Sequence, residues 1–572
     1  MGGFLSWRRS TAQTPIVDNA DRAKNVAYNN FRGIVGFFPP VLILPWFFEL
    51  GKHDKTVILM WVCMLWMFFW QPSSIQACGL IPLFVLPMCG VVSSSVVVQC
   101  YFNDITALFI IGSMMHLLLN NSGVDRRIAI WFLCAGNTSQ FSALRLVYKA
   151  SMASFLLSAI CNKFIVTSNI IDIMTVVLTS LQGKSRSTTD FKKLKHIMNN
   201  AIQTASSIGS ICIIHASYAT LFFRGIWFVS GPKGMEYPDI FNYLQYCCYA
   251  IPTALVMFLC NVFYHMALIL RTTRAPFSDS DMAEVKKLLL EQKKVLPEKM
   301  GTHEKLTLIF ATLAMLTFIF RWCVWLNMGW ATFRREAVSP LIPGIKDATV
   351  AAIYIFILHL LPRTLGFMRF LTAKRKSQLT MKPESAIIFW RFVNKHTNYG
   401  YFFVLGAGVS LNIAVRNTDL CSAISAGSGK LLTDYVWCLS LLLVVFIAIF
   451  LANIMPGVAS CCLFLPFVIN MAVEPDAPVP WPKRVYIGAL GVGVASSMTF
   501  MFPFLNTPAY FCNTTGKVPR GIMAKYSFPS VIICGIIIWL SLCYWAPIVW
   551  DPNGEGISPV PSPTGNNTTQ LL

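Results

Sequence analysis

Lys163 is the residue best placed to do chemistry in this chain. It closes the tripeptide Cys161-Asn162-Lys163, in the middle of an apolar block spanning 150–181. A charged side chain at the centre of a bilayer is costly and faces protein or a water-filled cavity. Two readings stand. In one, Lys163 snorkels to a headgroup and Asp172 caps the next helix. In the other, Lys163 sits at a hairpin tip and offers a compact positive charge to an anion.

A second polar constellation occurs twice. Ala205-Ser206-Ser207 returns as Ala495-Ser496-Ser497, 290 positions later. Each opens an apolar stretch that is soon broken. Gly209, Ser210, His215 and Ser217 break the first; Pro503, Asn506, Thr507 and Pro508 break the second. Proline removes a backbone donor and frees carbonyls of the preceding turn. With Asn506 and Thr507 these oxygens suit a hard cation such as Na⁺. Ser206, Ser207 and Gly209 in one half, and Ser496, Ser497 and Asn506 in the other, are the candidate Na⁺ ligands. Close helix packing explains the Ala-Ser-Ser pairs equally well, but Asn506-Thr507-Pro508 less well. Paired interrupted helices in corresponding halves point to the midplane site of a secondary transporter.

Other chemistry lacks its residues. The chain carries no P-loop, no nucleotide fingerprint, no HExxH and no paired CxxC. This argues against an enzyme, and no cofactor is expected beyond Na⁺ as coupling ion. His116, His215, His265 and His359 fall in apolar blocks, where packing is the commoner role. The 18 cysteines are scattered, without metal-ligand spacing, and read as small buried apolar residues.

The elements that must position these residues are membrane helices. Only 12% of the 572 residues are charged and 55% are hydrophobic, with a mean hydropathy of +0.59. Soluble chains carry about 25% charged residues. Continuous apolar runs of about 20 residues span a bilayer as helices, whereas barrels alternate. Two blocks are too long for one pass and polar in the middle. One is 150–181. The other is 434–473, interrupted around Asn453 and Pro456-Gly457. Each reads as a re-entrant hairpin, tolerated where protein or water surrounds the irregular backbone.

The net charge of +21 implies no nucleic acid, because it sits largely in short loops where Lys and Arg set orientation. Residues 1–32 read as a basic cytoplasmic segment, and no cleavable leader is expected there. A first transmembrane repeat follows over 33–270, then a cytoplasmic basic linker over 271–305. The stretch 276–304 within that linker reads as an amphipathic helix on the membrane surface. A second repeat covers 306–550. The tail 551–572 lacks Lys and Arg, carries the sequons at Asn566 and Asn567, and reads as disordered and extracellular. An inside N-terminus and an outside C-terminus require an odd number of spans. The plasma membrane is the expected location.

With those residues in place, the chain resembles the divalent anion:sodium symporter family, of the INDY and sodium-coupled citrate transporter type. The resemblance covers about 33–550. It rests on Leu108-Phe109-Ile110-Ile111-Gly112, Arg126-Arg127-Ile128-Ala129, the stretch 155–162, Ala205-Ser206-Ser207-Ile208-Gly209, Leu221-Phe222-Phe223-Arg224-Gly225, and Ala495-Ser496-Ser497-Met498 with Thr507-Pro508. It implies an all-α polytopic protein of about eleven transmembrane helices with two re-entrant hairpins in inverted repeats. It also implies a homodimer with an elevator-type moving domain, and a small anionic substrate.

Departures fall at the site. Where the family carries Ser-Asn-Thr at each hairpin tip, the first tip here reads Cys161-Asn162-Lys163. The second reads Pro456-Gly457-Val458, or, with a gap, falls at Asn453. The family's Thr-Ala-Thr-Asn becomes Ser217-Tyr218-Ala219-Thr220, and its Ser-Thr-Pro-Pro-Asn becomes Asn506-Thr507-Pro508-Ala509-Tyr510. The substrate contacts that resemblance implies are Cys161, Asn162, Lys163, Gly457, Val458, Thr507 and Pro508. Three functions follow as expectations: a cation-coupled carrier of dicarboxylates or citrate with thinned sodium sites, a sodium-independent anion carrier or exchanger using Lys163, or a transport-inactive homologue kept for an interaction.

Overall fold

In the computed structural model the chain is an all-α membrane protein. The structure describes residues 19–48, 52–136, 142–182, 188–230, 235–273, 279–322, 329–333, 345–364, 384–418, 420, 437–473, 484–558 and 560–561. Asn566 and Asn567 lie outside the described residues. Among the described residues, six helices are long and apolar enough to cross a membrane. There are seven if Trp390–His396 and Tyr401–Asn417, bent by 58°, form one span. The other apolar helices among the described residues are shorter, of 10–17 residues.

Breaks between helices fall where the polar residues predict them. Helix Ala143–Ile160 opens at Ser142, whose hydroxyl accepts from the Arg145 amide at 3.3 Å. It ends at Cys161, in extended conformation. Helix Lys163–Gln182 follows at once and packs back against the first arm. Its start is capped by Asn162, whose Oδ1 accepts from the Phe164 amide at 3.0 Å. The second pair is Trp437–Ala452 and Gly457–Val473, again packed arm to arm.

The two Ala-Ser-Ser stretches end broken helices. Helix Thr188–Gly209 gives way to irregular backbone and resumes as Tyr218–Phe228. Helix Val485–Ala495 gives way likewise and resumes as Thr507–Thr514. Ser158 and Ser206 share a hydrogen bond of 2.8 Å, and Ser154 donates to the Ile202 carbonyl at 2.9 Å. The first hairpin is thereby joined to the first broken helix. Gly209 permits this approach: a Cβ there would lie 2.2 Å from the Phe155 carbonyl oxygen.

The linker helix exists, as Asp279–Lys294, but its apolar stripe does not rest on lipid. Met282, Val285 and Leu289 are buried in a cluster shared with helix Val124–Cys134 and the first hairpin. The spacing of these residues gives one apolar face, and protein covers it.

Candidate anion site

Four helices begin at one cavity. Helix Lys163–Gln182 starts there with Lys163, helix Tyr218–Phe228 with Tyr218, and helix Gly457–Val473 with Gly457. Asn506, the residue before helix Thr507–Thr514, also lines the cavity. A helix N-terminus carries unpaired N–H groups and about half a positive charge. No carboxylate lines the cavity among the described residues. Everything electrostatic about this space favours a negative ligand.

Lys163 supplies the full charge. Its side chain is only 7% exposed, so it does not snorkel. Its Nζ donates to Ser210 Oγ at 3.2 Å, and Ser210 in turn donates to the Ser207 carbonyl at 2.8 Å. Asp172 lies in the middle of helix Lys163–Gln182, exposed, and caps nothing. Lys163 thus occupies the turn after the first Ala-Ser-Ser, where sodium ligands were expected. Ser206 is spent on protein contacts, accepting from Thr167 at 2.6 Å and paired with Ser158. Ser207 Oγ is buried without a hydrogen-bond partner.

The second half is different. Gly457, Val458, Ser496, Ser497 and Thr499 line the cavity with Asn506, and Asn506 donates to Thr499 Oγ1 at 3.0 Å. Hydroxyl and amide oxygens gather on this side of the cavity. Gly457 lies at the tip, and its Cβ would fall 1.9 Å from the Ser496 carbonyl oxygen. Asn453 instead staples the broken helix from behind. It donates to the Met498 carbonyl at 2.9 Å, and its Oδ1 accepts from the Phe500 and Met501 amides at 3.3 and 3.4 Å. Thr507 and Pro508 form the first turn of the following helix.

Cys161 is buried behind the first tip at 1% exposure. The Asn162 amide donates to the His116 carbonyl at 3.2 Å and to Asn120 Oδ1 at 3.1 Å. The tip is held further by Asp125, which accepts from Asn120 at 2.7 Å and Asn169 at 3.0 Å. Residues that the sequence did not single out also face the cavity, notably Tyr401 and Thr499. Tyr401 comes from a helix distant in sequence and stacks near Tyr218, with ring centroids 5.3 Å apart. Nothing local to Tyr401 signals this.

Arg224, two turns into helix Tyr218–Phe228, belongs to a buried ionic quartet. It meets Asp239 at 3.3 Å and Asp347 at 2.5 Å; Arg321 meets Asp239 at 2.9 Å and also contacts Asp347. Two cations and two anions balance, as burial requires. The quartet ties the first broken helix to helices Thr302–Ile319 and Asp347–Leu360.

Comparison with known proteins agrees with this architecture. The sodium:sulfate symporter transmembrane region matches residues 28–550. The Drosophila melanogaster protein "I'm not dead yet" is 22% identical, over 93% of this chain and 91% of its own. The sodium-dependent dicarboxylate transporter SdcS of Staphylococcus saprophyticus is 22% identical, over 93% and 94%. Human solute carrier family 13 member 2 is 20% identical, over 91% and 93%. The YdaH transporter structure from Alcanivorax borkumensis superposes with a TM-score of 0.50 at 14% identity, covering 79% of this chain and 88% of that one. The cavity of four helix starts, the paired broken helices and the match along nearly the whole chain lead to one conclusion: this chain belongs to the divalent anion:sodium symporter family of membrane transporters.

Proposed function

We propose that the chain carries small divalent anions across the membrane, dicarboxylates or citrate foremost, with Lys163 holding the anion in place of a first-site Na⁺. The observation that supports this is the buried Lys163 ammonium at the meeting of four helix N-termini. An ammonium in low dielectric needs a negative partner, and none of the lining residues supplies one. The bound anion is that partner. Asn162, at the same tip, donates its backbone amide inward to protein, which leaves Lys163, Tyr218 and the second-half hydroxyls to contact the substrate.

The second reading keeps sodium coupling. It is favoured by Ser496, Ser497, Thr499 and Asn506, whose oxygens gather at the second broken helix. Under either reading the protein is a carrier rather than an enzyme. It works as a homodimer in the plasma membrane, with the N-terminus inside and the C-terminus outside, and the two repeats 33–270 and 306–550 flank the linker 271–305. The relatives named as sodium-dependent dicarboxylate transporters support the substrate class. Uptake of labelled succinate, citrate and sulfate into liposomes holding the purified protein tests the proposal. Entry of at least one of the three is expected. Entry of none, from protein that is folded and inserted, contradicts it.

A further inference from the structure

His116 and His215 make a buried pair beside Lys163. Their rings lie 4.3 Å apart, centroid to centroid, inclined by 52°. They are 7% and 6% exposed. The His116 ring has the backbone carbonyls of Ile160 and His215 as its polar neighbours, whereas Nδ1 of His215 has no hydrogen-bond partner. The other two intramembrane histidines behave differently. His265 is bonded to the Asn261 carbonyl at 2.7 Å and to Asn200 at 3.1 Å, and His359 bonds the Ile355 carbonyl at 2.8 Å. Neither of those two lines the space around Lys163, whereas both members of the pair do.

The pair faces the ligand space. His116, His215, Asn162 and Ser113 line a second cavity together with Lys163 and Tyr218, and Lys163 and Tyr218 also line the anion cavity. The two spaces therefore adjoin at the lysine. Charge counting gives the pair a role. A divalent anion brought to Lys163 meets one ionised side chain; the helix starts add only partial charges, and a second ionised group would favour the doubly charged ligand in low dielectric. Arg224 lines neither cavity and already faces Asp239 and Asp347. Among the described lining residues, only the imidazoles can supply a second positive charge.

The surroundings admit that charge once. Around the pair, the titratable and charged groups are Lys163 and Tyr218 in the same cavity, Tyr243 with its ring 5.2 Å from that of His215, and Arg224 behind Tyr243, whose ring it faces at 5.6 Å. Asp347 stands against Arg224, and Asp125 is held by Asn120 and Asn169 behind the hairpin tip. On the neighbouring helices, His303 bonds the Ile387 carbonyl, His359 the Ile355 carbonyl, and Tyr354 the Thr317 hydroxyl. Among the described residues no carboxylate lines the cavity beside the imidazoles, so no fixed negative charge there favours an imidazolium before the anion arrives. Two imidazolium rings at this separation repel, so the pair takes one proton.

We propose that His116 and His215 together bind one proton beside the anion, so that a divalent anion is carried with H⁺. The proton adds to an imidazole nitrogen lone pair as the anion arrives and leaves with it. By linkage, each ligand strengthens the binding of the other by the same factor. This rests on the reading of the Lys163 cavity as the anion site.

The test is titration calorimetry on the purified full-length protein with sulfate and with succinate, each in two buffers of different ionisation enthalpy. The pH is held above the ionisations of the probes, so that any proton taken up goes to the protein. Wild type is expected to take up about one proton per anion bound, and the His116→Gln, His215→Gln double variant to lose that uptake and bind about tenfold more weakly. Should the double variant fail to fold, His215→Gln alone is measured, and the same loss is expected. Anion binding by wild type without proton uptake overturns the proposal, as does undiminished uptake in the folded variant. If neither anion binds wild type at all, the anion-site reading fails and takes this one with it.

Discussion

Ser217 and Ser497 share a hydrogen bond of 2.9 Å across 280 residues of chain. One closes the irregular stretch of the first broken helix, and the other opens that of the second. The two halves of the molecule therefore meet at hydroxyl groups beside the Lys163 cavity. Ser497 also reaches the Gly493 carbonyl at 3.3 Å. If it donates there, Ser217 is the donor between the pair. Removing either hydroxyl is expected to cost about 1 kcal/mol. Ser217→Ala and Ser497→Ala together should cost less than the two separately, because the shared bond is lost only once. A double-mutant cycle on unfolding in detergent checks this; strict additivity would mean that the bond contributes nothing.

Gly457→Ala should be badly tolerated. The added Cβ would lie 1.9 Å from the Ser496 carbonyl oxygen, inside van der Waals contact with backbone that cannot move freely. A cost of about 1–3 kcal/mol is expected, with a lowered melting temperature. Gly112→Ala is the control. Its nearest new contact is Leu108 at 3.8 Å, and in the helix Asp104–Met115 alanine is the better residue by about 0.5–1 kcal/mol. Equal melting temperatures for the two variants would contradict the packing described at the second tip.

Asp347→Asn should destabilise strongly. It leaves Arg224 and Arg321 facing Asp239 as their single carboxylate, in side chains at most 7% exposed. Breaking a buried ionic group in this way costs about 3–5 kcal/mol. Replacing Arg224 and Asp347 together by apolar residues of similar volume should cost less than Asp347→Asn alone, since no unpaired charge is then added. Thermal unfolding of the two variants decides; a mild single variant would place the quartet in contact with water.

Lys163→Thr should make anion transport respond to Na⁺. It removes the ammonium from beside Ser210 and adds a hydroxyl oxygen at the same tip, next to the Ser207 carbonyl that Ser210 already engages. Flux measured with Na⁺ replaced by choline reads this directly. Unchanged indifference to Na⁺, in a variant that still transports, would separate the lysine from the coupling ion.

Much of the frame was legible in the sequence because the breaks are local. Cys161-Asn162, Pro456-Gly457 and the two Ala-Ser-Ser stretches interrupt apolar runs, and each interruption became a helix end. Lys163 was legible as a charge inside an apolar block, but the sequence left open whether it snorkels or is buried, and burial at 7% exposure decides for the second. The linker helix was legible as a helix but not in its packing, since an apolar stripe fits lipid or protein alike and here Val285 and Leu289 meet protein. The ionic quartet was not legible. Arg224, Asp239, Arg321 and Asp347 come from three separate regions, and no local pattern pairs them. Tyr401 and the meeting of His116 with His215 depend likewise on tertiary contacts between distant segments.

The most direct measurement of the central claim is anion uptake by proteoliposomes, wild type against Lys163→Ala, in Na⁺ and in choline medium. Loss of the buried charge removes the cation nearest the ligand, and hydrogen bonds to charged groups contribute about 1.5–3 kcal/mol. Wild type is predicted to transport at similar rates in both media, and Lys163→Ala to lose transport at least tenfold while remaining folded. Wild-type transport that vanishes in choline, or Lys163→Ala transport equal to wild type, would contradict the account.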